Sequence, residues 1–405
     1  MKLRNLVIAL FTGLLTLYSC EGIVIDDPVE TCTFNEAINS ATNPNNYLYQ
    51  DVLDEYVELG IPGVSVAIET PENGWWVGCA GVASIEDQVA MNPCHIHHSS
   101  SMIKPYTATM IMRLYEDGLL DLDDPIRNYL PQDLISKIAN GDEATIRHLL
   151  SHTSGIIDET YNYKSSVDMF NNPEVFESTE YIFENYAYGK PAAAAPGEEF
   201  HYTNIGFSML GMIIEKASQM SLGEYFQNEI IDPLGLVNTY YKASPGYPVE
   251  IPNRVSGYAE LFAGQLINVT DIELKLVKIS MGDIGLFSTP YEFARFYQEL
   301  IRGNILDSIT LEVMLTKEAQ DTGYSSDSLF YCLGIYNNWT NEFGNQLGHG
   351  GLNYGSMSKT RYFPDSDITL SVVINLGYVL TSENTRRFNV MVRELQKVAF
   401  TGKRE

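Results

Sequence analysis

The chain is 405 residues long, and 45% of its residues are hydrophobic while 19% are charged. This composition is typical of a globular protein with one large domain or two small ones, and it excludes a disordered chain. The formal net charge of −27, which no long basic run offsets, argues against nucleic acid or an anionic membrane surface as a partner.

The N-terminal segment, MKLRNLVIALFTGLLTLYSC, has the pattern of an export signal. Two basic residues precede an apolar run, residues 6–18, that is short for a membrane-spanning helix. The segment ends in Leu-Tyr-Ser-Cys, which resembles a bacterial lipobox, where the cysteine is lipidated. We therefore expect residues 1–20 to be a lipoprotein signal peptide, Cys20 to be lipidated, and residues 21–45 to be a tether. The protein would then be exported and anchored to the membrane by its lipid, facing the periplasm or the exterior; ordinary signal cleavage is the alternative.

Export also permits disulfide bonds. Without Cys20 the chain has an even set that allows three pairings: Cys32, Cys79, Cys94 and Cys332. Cys79 and Cys94 flank one short connection and form the first pair to test. Buried free thiols are the alternative.

The predicted elements begin with an amphipathic helix at residues 46–60, closed by Gly60. Residues 63–70 and 74–81 have the composition of two adjacent strands joined by a turn. Residues 101–117 predict a buried helix, because most of its faces are apolar.

Helical patterns dominate from about residue 120 to 285, most clearly in NIGFSMLGMIIEKAS, and a further helix, YEFARFYQELIRG, follows Pro290. The C-terminal part changes to strand patterns in LFYCLGIY, SKTRYF and DITLSVVINL. A last amphipathic helix covers about 383–399. Strands at both ends with helices between them predict one sheet built from the two ends and an inserted helical lobe. A cleft between the two would be the natural site.

The segment HHSSSMIKPYTA places Lys104 three residues after Ser101 at the start of the buried helix. Residues at helix positions i and i+3 lie on one face with their Cβ atoms about 5–6 Å apart, so the lysine amine can reach the serine hydroxyl. Burial disfavours the charged amine, which makes Lys104 a candidate base and Ser101 a candidate nucleophile. Pro105 cannot donate a backbone hydrogen bond, which loosens the helix start. A chance pairing of two common residues is the alternative.

Two further segments supply candidate partners. In PGEEFHYTNIG, Tyr202 and Asn204 are two apart, so on an extended backbone a phenol and an amide face the same space. In LGHGGLNYG, His349 stands among glycines, which let a ligand approach free backbone N–H groups. The alternatives are a helix cap at Asn204 and a simple turn at His349.

Several other patterns fail on closer inspection. His148 and His152 in HLLSH have metalloprotease spacing, but Leu149 replaces the general-base glutamate, so a zinc site is not expected. His95 and His97 in CHIHH alternate on one side of an extended segment, and hydrogen-bonded histidines explain them better than a metal. GFSMLG lacks the second glycine of a Gly-x-Ser-x-Gly elbow.

Together, Ser101-Met102-Ile103-Lys104, Tyr202-Thr203-Asn204 and His349-Gly350-Gly351 resemble the three signature elements of the penicillin-recognising serine hydrolases. In the second element, a tyrosine replaces the serine of the Ser-Asp-Asn motif that class A relatives have. The chain therefore most resembles the branch of class C β-lactamases, D-alanyl-D-alanine carboxypeptidases, D-aminopeptidases and related esterases. Three connecting stretches match in the same order: DGLLDLDDPIRNYLP, TIRHLLSHTSGI and NEIIDPLGLVNTYY. The resemblance covers roughly residues 45–400.

The resemblance implies a role for each residue and no metal or other cofactor. Ser101 would attack a carbonyl carbon and be acylated, while Lys104 and Tyr202 accept its proton and pass it on. Asn204 would bind the acyl side of the substrate. The oxyanion would lie between the backbone N–H groups of Ser101 and Leu352, on an edge-facing strand.

The resemblance also implies a β-lactamase/transpeptidase-like α/β (α+β) fold, in which an antiparallel sheet is flanked by helices and an all-helical lobe is inserted. We expect one hydrolase domain over residues 46–400. Its α/β lobe would comprise about 46–95 and 286–400, and its helical lobe about 101–285.

The third element departs from its relatives at the position after His349. Relatives usually have a hydroxyl there that helps to hold a substrate carboxylate, whereas this chain has Gly350, and Leu352 offers no side-chain hydroxyl either. His349 itself is expected to be mostly neutral near pH 7. His97 and Ser99 also stand where relatives are commonly apolar. We therefore expect the chemistry to be retained and the specificity to be altered, with His349, Gly350, Gly351 and Leu352 lining the substrate site.

The expected function is an exported serine hydrolase that resembles D-alanyl-D-alanine carboxypeptidases and D-amino-acid peptidases, acting on a small or peptide substrate that is peptidoglycan-derived or not. A β-lactamase or an esterase of the same fold is the alternative within this class. A non-catalytic penicillin-sensing protein and a glycan-binding surface lipoprotein are alternatives from other classes.

Overall fold

The structure is a computed structural model that describes residue 38 and residues 40–404 except 159–162, 177, 243, 246, 249, 263–264, 322–328 and 378–381. The predicted signal peptide with Cys20, and most of the predicted tether with Cys32, lie outside the described residues. Within the described ranges, no helix is both long enough and apolar enough to cross a membrane.

The strands, numbered in chain order, are β1 (Gly63–Thr70), β2 (Gly74–Ser84), β3 (Val89–Ala90), β4 (His97–His98), β5 (Tyr240–Tyr241), β6 (Tyr258–Phe262), β7 (Gln265–Asn268), β8 (Leu286–Ser288), β9 (Ala319–Gln320), β10 (Leu329–Tyr331), β11 (Tyr336–Thr340), β12 (Gly344–Leu352), β13 (Met357–Phe363), β14 (Ile368–Ile374) and β15 (Leu376–Gly377). The α-helices are α1 (Asn46–Glu58), α2 (Lys104–Glu116), α3 (Gln132–Ile135), α4 (Ile146–Leu150), α5 (Tyr163–Asn171), α6 (Thr179–Ile182), α7 (Asn204–Ser218), α8 (Leu222–Phe226), α9 (Asp232–Leu234), α10 (Thr270–Ile279), α11 (Pro290–Ile301), α12 (Ser308–Met314) and α13 (Ser382–Thr401). Single 3-10 or π turns lie at Ser40–Thr42, Ser100–Ile103, Ile126–Asn128, Pro173–Val175, Phe183–Ala187 and Gln227–Ile231.

The main sheet has nine strands in the order β3-β2-β1-β14-β13-β12-β11-β10-β9, and every neighbouring pair is antiparallel. Its two halves come from opposite ends of the described chain and meet where β1 pairs with β14, Val64 opposite Ile374. The predicted antiparallel sheet built from both ends is therefore confirmed.

Helices cover both faces of this sheet. On one face α1 and α13 pack together, and Val64 and Val372 share an apolar cluster with Leu395. On the other face lies α11, where Ala67 packs against Tyr291. Successive strand residues point to opposite faces of a sheet, so a strand whose sheet is covered on both sides has all its side chains buried. Every residue of β14 is buried in this way.

The inserted segment is built around α2 and α7, whose buried residues belong to one large apolar cluster. It is not purely helical, because β5 pairs with β8, which also pairs with β4, and β6 joins β7 and β15 in a second small sheet. These strands escaped the sequence analysis because strands of two to five residues show too little alternation of apolar and polar residues to stand out.

The predicted strand LFYCLGIY is in fact two strands. β10 ends at Tyr331 and β11 begins at Tyr336, and Gly334 lies between them with a φ of 80°. A Cβ at Gly334 would lie 2.2 Å from the Cβ of Ala108 on α2, so the turn needs glycine for both its conformation and its packing.

Cys79 and Cys94, the first pair to test, do not form a disulfide with each other. Cys94 is disulfide-bonded, whereas Cys79 and Cys332 are free. The Cys79 thiol donates a hydrogen bond of 3.2 Å to the Met91 carbonyl instead. Burial raises the pKa of both free thiols to about 12, which makes them poor nucleophiles.

Candidate active site

The candidate nucleophile Ser101 lies in a 3-10 turn, Ser100–Ile103, that leads directly into α2. Ser100 has a backbone φ of 52°, in the left-handed region that residues other than glycine rarely occupy. Its hydroxyl donates a hydrogen bond of 2.9 Å to the Leu352 carbonyl at the end of β12. The turn therefore holds the half-buried Ser101 between α2 and the sheet, and such strained residues cluster at functional sites.

Lys104 is fully buried beside Ser101. Its Nζ lies 3.2 Å from Ser101 Oγ, 2.7 Å from Asn204 Oδ1 and 3.0 Å from the Asp283 carbonyl oxygen. The centroid of the Tyr202 ring is 4.9 Å from the same atom. The structure thus brings the first two predicted motifs together around one amine, and it adds Asp283, which the sequence did not indicate.

The second motif projects from the residue before α7. Thr203 has an extended backbone, with φ −142° and ψ 123°, so Tyr202 and Asn204 on either side of it face the same space. Thr203 itself caps the helix, because its Oγ1 accepts a hydrogen bond of 3.2 Å from Gly206 N–H. The alternative role of Asn204 as a cap is therefore wrong, and its amide oxygen binds Lys104 instead.

Two buried side chains hold this motif in place from behind. The Asp158 carboxylate accepts a hydrogen bond from the Asn204 backbone N–H. His152 Nδ1 accepts one of 3.1 Å from Thr203 N–H. Neither side chain was predicted as part of the site, since both are distant in sequence from the residues they position.

The His152 ring packs 4.1 Å from the Tyr202 ring and 4.6 Å from the Tyr331 ring, measured between centroids. Burial and, to a lesser extent, the Lys104 charge hold the pKa of His152 well below its usual range, so the imidazole is neutral. Since Nδ1 accepts a hydrogen bond, the proton lies on Nε2, which finds no hydrogen-bond partner among the described residues. His152 therefore acts as an uncharged support for Tyr202.

The histidines that suggested metal sites make hydrogen bonds within the protein. His148 Nδ1 accepts from Thr145 N–H, His152 Nδ1 from Thr203 N–H and His95 Nδ1 from Asn92 N–H, while His97 Nε2 lies 3.0 Å from Ser65 Oγ. In the described part of the chain, no group of three or more His, Cys, Asp or Glu side chains is arranged to hold a metal ion.

His349 of the third motif points into the protein rather than towards solvent. Its Nδ1 donates a hydrogen bond of 2.6 Å to the Gly350 carbonyl, and its Nε2 therefore accepts the hydroxyl of Tyr331 at 3.1 Å. Burial, with a smaller contribution from Lys104, lowers the pKa of His349 to about 3. A neutral imidazole, as expected, connects the motif to Tyr331, a residue that the sequence did not single out.

The glycines of the third motif lie at the C-terminal end of β12. This strand pairs with β13 up to Leu352, but with β11 only from residue 344 to 348, so residues 349–352 form an open edge. A Cβ at Gly351 would lie 2.0 Å from the Ser99 carbonyl oxygen, which shows how closely this edge approaches the start of the turn that carries Ser101. The predicted motif is therefore a strand edge rather than a simple turn.

A model of the β-lactamase family matches residues 49–392. The chain belongs to the β-lactamase family. The match begins in α1, ends in α13 and spans all three motifs, so the predicted family resemblance is confirmed. Its members with this fold are serine hydrolases.

Curated relatives of this β-lactamase-family chain match it over part of their length. Protein flp of Staphylococcus aureus is 27% identical over 202 residues, which are 50% of this chain and 39% of that protein. The chain spans about two fifths of the length of the curated relatives it matches.

Among solved structures, a D-stereospecific amidohydrolase from Streptomyces sp. superposes with a TM-score of 0.73 and 24% identity, covering 88% of this chain and 99% of that one. A D-amino acid amidase from Ochrobactrum anthropi gives 0.72 and 22%, covering 87% and 99%. These likenesses show the β-lactamase/transpeptidase-like fold.

Proposed function

We propose that this β-lactamase-family protein is an exported serine hydrolase that cleaves an amide or ester bond through an acyl-Ser101 intermediate. The observation that supports the proposal most strongly is the fully buried Lys104 amine, 3.2 Å from Ser101 Oγ. In this proposal the catalytic unit is the single domain of residues 46–400, and the reaction uses no metal or other cofactor.

The contacts of Lys104 suit a base. In the neutral form that a base requires, the Lys104 amine has two hydrogens and one lone pair. Two acceptors lie beside it, Asn204 Oδ1 at 2.7 Å and the Asp283 carbonyl at 3.0 Å. With both hydrogens donated there, the lone pair faces the Ser101 hydroxyl. Lys104 then takes the proton as Ser101 attacks, and Tyr202, whose ring lies over the same amine, shares its transfer to the leaving group.

The open edge of β12 suits the charge that forms in the transition state. The carbonyl oxygen of the substrate becomes negative, and the N–H groups of Ser101 and Leu352 stabilise it. The hydrogen bond from Ser100 Oγ to the Leu352 carbonyl keeps these two chain segments together. Water then attacks the acyl carbon. Lys104 and Tyr202 accept a proton from this water and return one to Ser101 Oγ, so that the acid product and free Ser101 are formed.

Peptides or amides that contain D-amino acids are the proposed substrates, whether derived from the cell wall or not. The names of two structural neighbours, a D-stereospecific amidohydrolase and a D-amino acid amidase, support this choice. Hydrolysis of β-lactams or esters is the second candidate, because the matching family model is that of β-lactamases.

The test is ammonia release from D-alanine amide, with L-alanine amide as the control substrate. Wild-type protein should hydrolyse the D form, and Ser101→Ala should abolish turnover because the nucleophile is gone. The same substitution should change the free energy of unfolding by no more than about 1 kcal/mol, since it removes one hydrogen bond. Turnover that survives in Ser101→Ala would refute the mechanism.

Intact-mass spectrometry with a penicillin separates the remaining possibilities. A Ser101-dependent adduct that disappears within minutes would indicate a β-lactamase, and one that persists would indicate a penicillin-binding protein. An adduct without turnover of any substrate would show that the protein only senses or binds penicillin.

We also propose that the mature protein begins at a lipidated Cys20. The apolar run and the Leu-Tyr-Ser-Cys sequence support this. Cys20→Ser in the full-length chain should move the protein from the membrane fraction to the soluble fraction of an expressing bacterium. A wild-type N-terminal peptide without added acyl mass would contradict the proposal.

A further inference from the structure

The Asp283 carbonyl that contacts Lys104 belongs to a glycine-rich turn, SMGDIG at residues 280–285, which connects α10 to β8. Gly282 has a φ of 92° and Gly285 a φ of 99°, both in the left-handed region that favours glycine. Glycine also gives this backbone more conformational freedom than other residues would. The direction of the Asp283 carbonyl is therefore set by contacts with the rest of the protein rather than by the turn alone.

Two buried side chains hold the peptide groups of Gly282. Thr107 Oγ1 donates a hydrogen bond of 2.7 Å to the Gly282 carbonyl, and Tyr241 Oη accepts one of 3.1 Å from the Gly282 N–H. Thr107 is 0% exposed and Tyr241 is 1% exposed, so solvent does not compete for these bonds. The Gly282 carbonyl is part of the peptide group that leads into Asp283. The two bonds thus fix the backbone directly before the carbonyl that the lysine contacts.

The same turn is packed between α2 and α7. A Cβ on Gly282 would lie 3.1 Å from Thr107 Oγ1 on α2, and a Cβ on Gly211 of α7 would lie 2.1 Å from the Met281 carbonyl oxygen. The Asp283 side chain closes the turn, because its Oδ1 accepts a hydrogen bond of 2.8 Å from Met281 N–H. The turn is therefore fixed to both of the helices that supply the amine and the amide of the active site.

Lys104 and Thr107 are three residues apart on α2 and therefore share one face of the helix. The helix carries the amine and, through Thr107, it also orients one of the oxygens that accept a hydrogen from this amine, the Asp283 carbonyl at 3.0 Å. A shift of the turn would remove this acceptor. The amine would then rotate about its Cε–Nζ bond, and its lone pair would no longer be directed at Ser101 Oγ.

We propose that Thr107 and Tyr241 are positioning residues for the base. They hold the Asp283 carbonyl where it receives one hydrogen of the Lys104 amine, so that the lone pair of this amine faces Ser101. The inference rests on the proposed function, in which Lys104 takes the proton of Ser101. Both residues are buried and act on the reaction only through the turn.

The first test is hydrolysis of D-alanine amide by full-length Thr107→Val. Valine has nearly the shape of threonine but no hydroxyl, so the Gly282 carbonyl loses its donor. We expect kcat to fall about tenfold or more, because a catalytic group displaced by about 1 Å can cost a factor of about a hundred in rate. KM should change by less than about threefold, because the lost interaction acts on the chemical step. Thr107→Ser keeps a hydroxyl and should retain kcat within about threefold of wild type.

Thr109→Val is the matched control. Thr109 is also fully buried on α2, and its Oγ1 donates a hydrogen bond of 2.7 Å to the Pro105 carbonyl, which belongs to the helix and not to the turn. The urea midpoint should fall to a similar extent in Thr109→Val and Thr107→Val, since each loses one buried hydroxyl hydrogen bond. Thr109→Val should keep kcat within about threefold of wild type. Equal losses of kcat in the two variants would overturn the inference.

Tyr241→Phe tests the other contact of the turn and does not depend on the folding of Thr107→Val. The change removes the acceptor of the Gly282 N–H, keeps the ring, and should lower kcat about tenfold. Tyr297→Phe is its control and should keep wild-type kcat, because the Tyr297 hydroxyl is buried and forms no hydrogen bond with any described residue. A Tyr241→Phe protein with wild-type kcat would also overturn the inference.

A spectroscopic measurement separates this inference from the proposed function, because it needs no turnover. In Ser101→Ala protein with isotope-labelled lysine, the Cε nuclear magnetic resonance signal of Lys104 is assigned by its loss in Lys104→Arg. Thr107→Val should shift this signal and Thr109→Val should not, since only the first changes the contacts of the amine.

The two proposals then have different outcomes. A Thr107-dependent shift, in a wild-type protein that hydrolyses none of the amide, ester and penicillin substrates, would refute the proposed function and support the positioning role. Ser101-dependent hydrolysis with an unshifted Lys104 signal in Thr107→Val would support the proposed function and overturn the positioning role.

Discussion

At the scale of single residues, the two glycines of the third motif differ in the room around them. A Cβ on Gly351 would lie 2.0 Å from the Ser99 carbonyl oxygen and 2.4 Å from Ser358 Oγ, whereas on Gly350 it would have one neighbour, at 3.2 Å. Gly351 therefore sets the distance between β12 and the turn that carries Ser101.

Gly351→Ala should separate these two segments. We expect a loss of about 1–3 kcal/mol in the free energy of unfolding, as for overpacked cores. We also expect a large fall in kcat, because the Leu352 N–H moves away from the proposed oxyanion site. Gly350→Ala is the control and should cost less than about 1 kcal/mol. Urea unfolding and kcat of both variants test this, and equal destabilisation by the two alanines would contradict it.

At the scale of elements, α10 holds the loop that follows β12. The buried Glu273 carboxylate accepts hydrogen bonds of 3.1 Å from Gly355 N–H and 3.3 Å from Ser356 Oγ, and it lies 3.6 Å from His98 Nδ1. His98 is three residues before Ser101. One side chain of the inserted segment thus links the loop after β12 to the segment that leads to Ser101.

Glu273→Ala leaves the Gly355 N–H and the Ser356 hydroxyl without this acceptor. We expect a loss of about 1–3 kcal/mol in the free energy of unfolding and a lower kcat, since the end of β12 loses its support. Glu273→Gln retains an acceptor oxygen and should lose less. Asp271→Ala, at an exposed position of the same helix, should change neither quantity. A Glu273→Ala protein with wild-type stability would disprove the role.

At the scale of the whole molecule, acid should unfold the protein through its buried histidines. Burial lowers the pKa of His97 and His349 to about 3 and that of His152 well below its usual range. The unfolded chain binds protons below pH ~6.5 that the folded chain refuses, so each histidine removes up to about 1.4 kcal/mol of stability per pH unit as the pH falls.

Glu292 acts in the opposite direction. Burial raises its pKa to about 7, so the folded chain keeps a proton that the unfolded chain loses at lower pH, and this group favours folding as the pH falls from 7. These three histidines against Glu292 leave a loss of roughly 3 kcal/mol per pH unit below pH ~6, and the lowered pKa values of His95 and His148, which also result mainly from burial, add to it.

Urea unfolding between pH 7 and pH 5 measures this slope. His97→Asn keeps a polar partner for Ser65 and should reduce the slope by about 1.4 kcal/mol per pH unit, because one titrating group is removed. Parallel pH profiles of the wild-type and His97→Asn proteins would show that His97 does not titrate on unfolding.

Much of the fold followed from local patterns. The amphipathic helix at residues 46–60, the paired strands at 63–70 and 74–81 and the helix at 204–218 lie close to where their periodicities predicted them. The short strands β4 and β5 did not, since two residues show no period and their pairing depends on β8.

The sequence by itself determined the family and the proximity of Ser101 and Lys104, because residues three apart on a helix must share a face. Only the tertiary structure decided that Asn204 and Asp283 meet that lysine, that His152 supports Tyr202, that Cys94 and not Cys79 is disulfide-bonded, and that Thr107 and Tyr241 hold the turn of Asp283. These contacts join residues that are far apart in the chain, and their partners are selected by the packing of the whole core and the register of the sheet rather than by any local pattern.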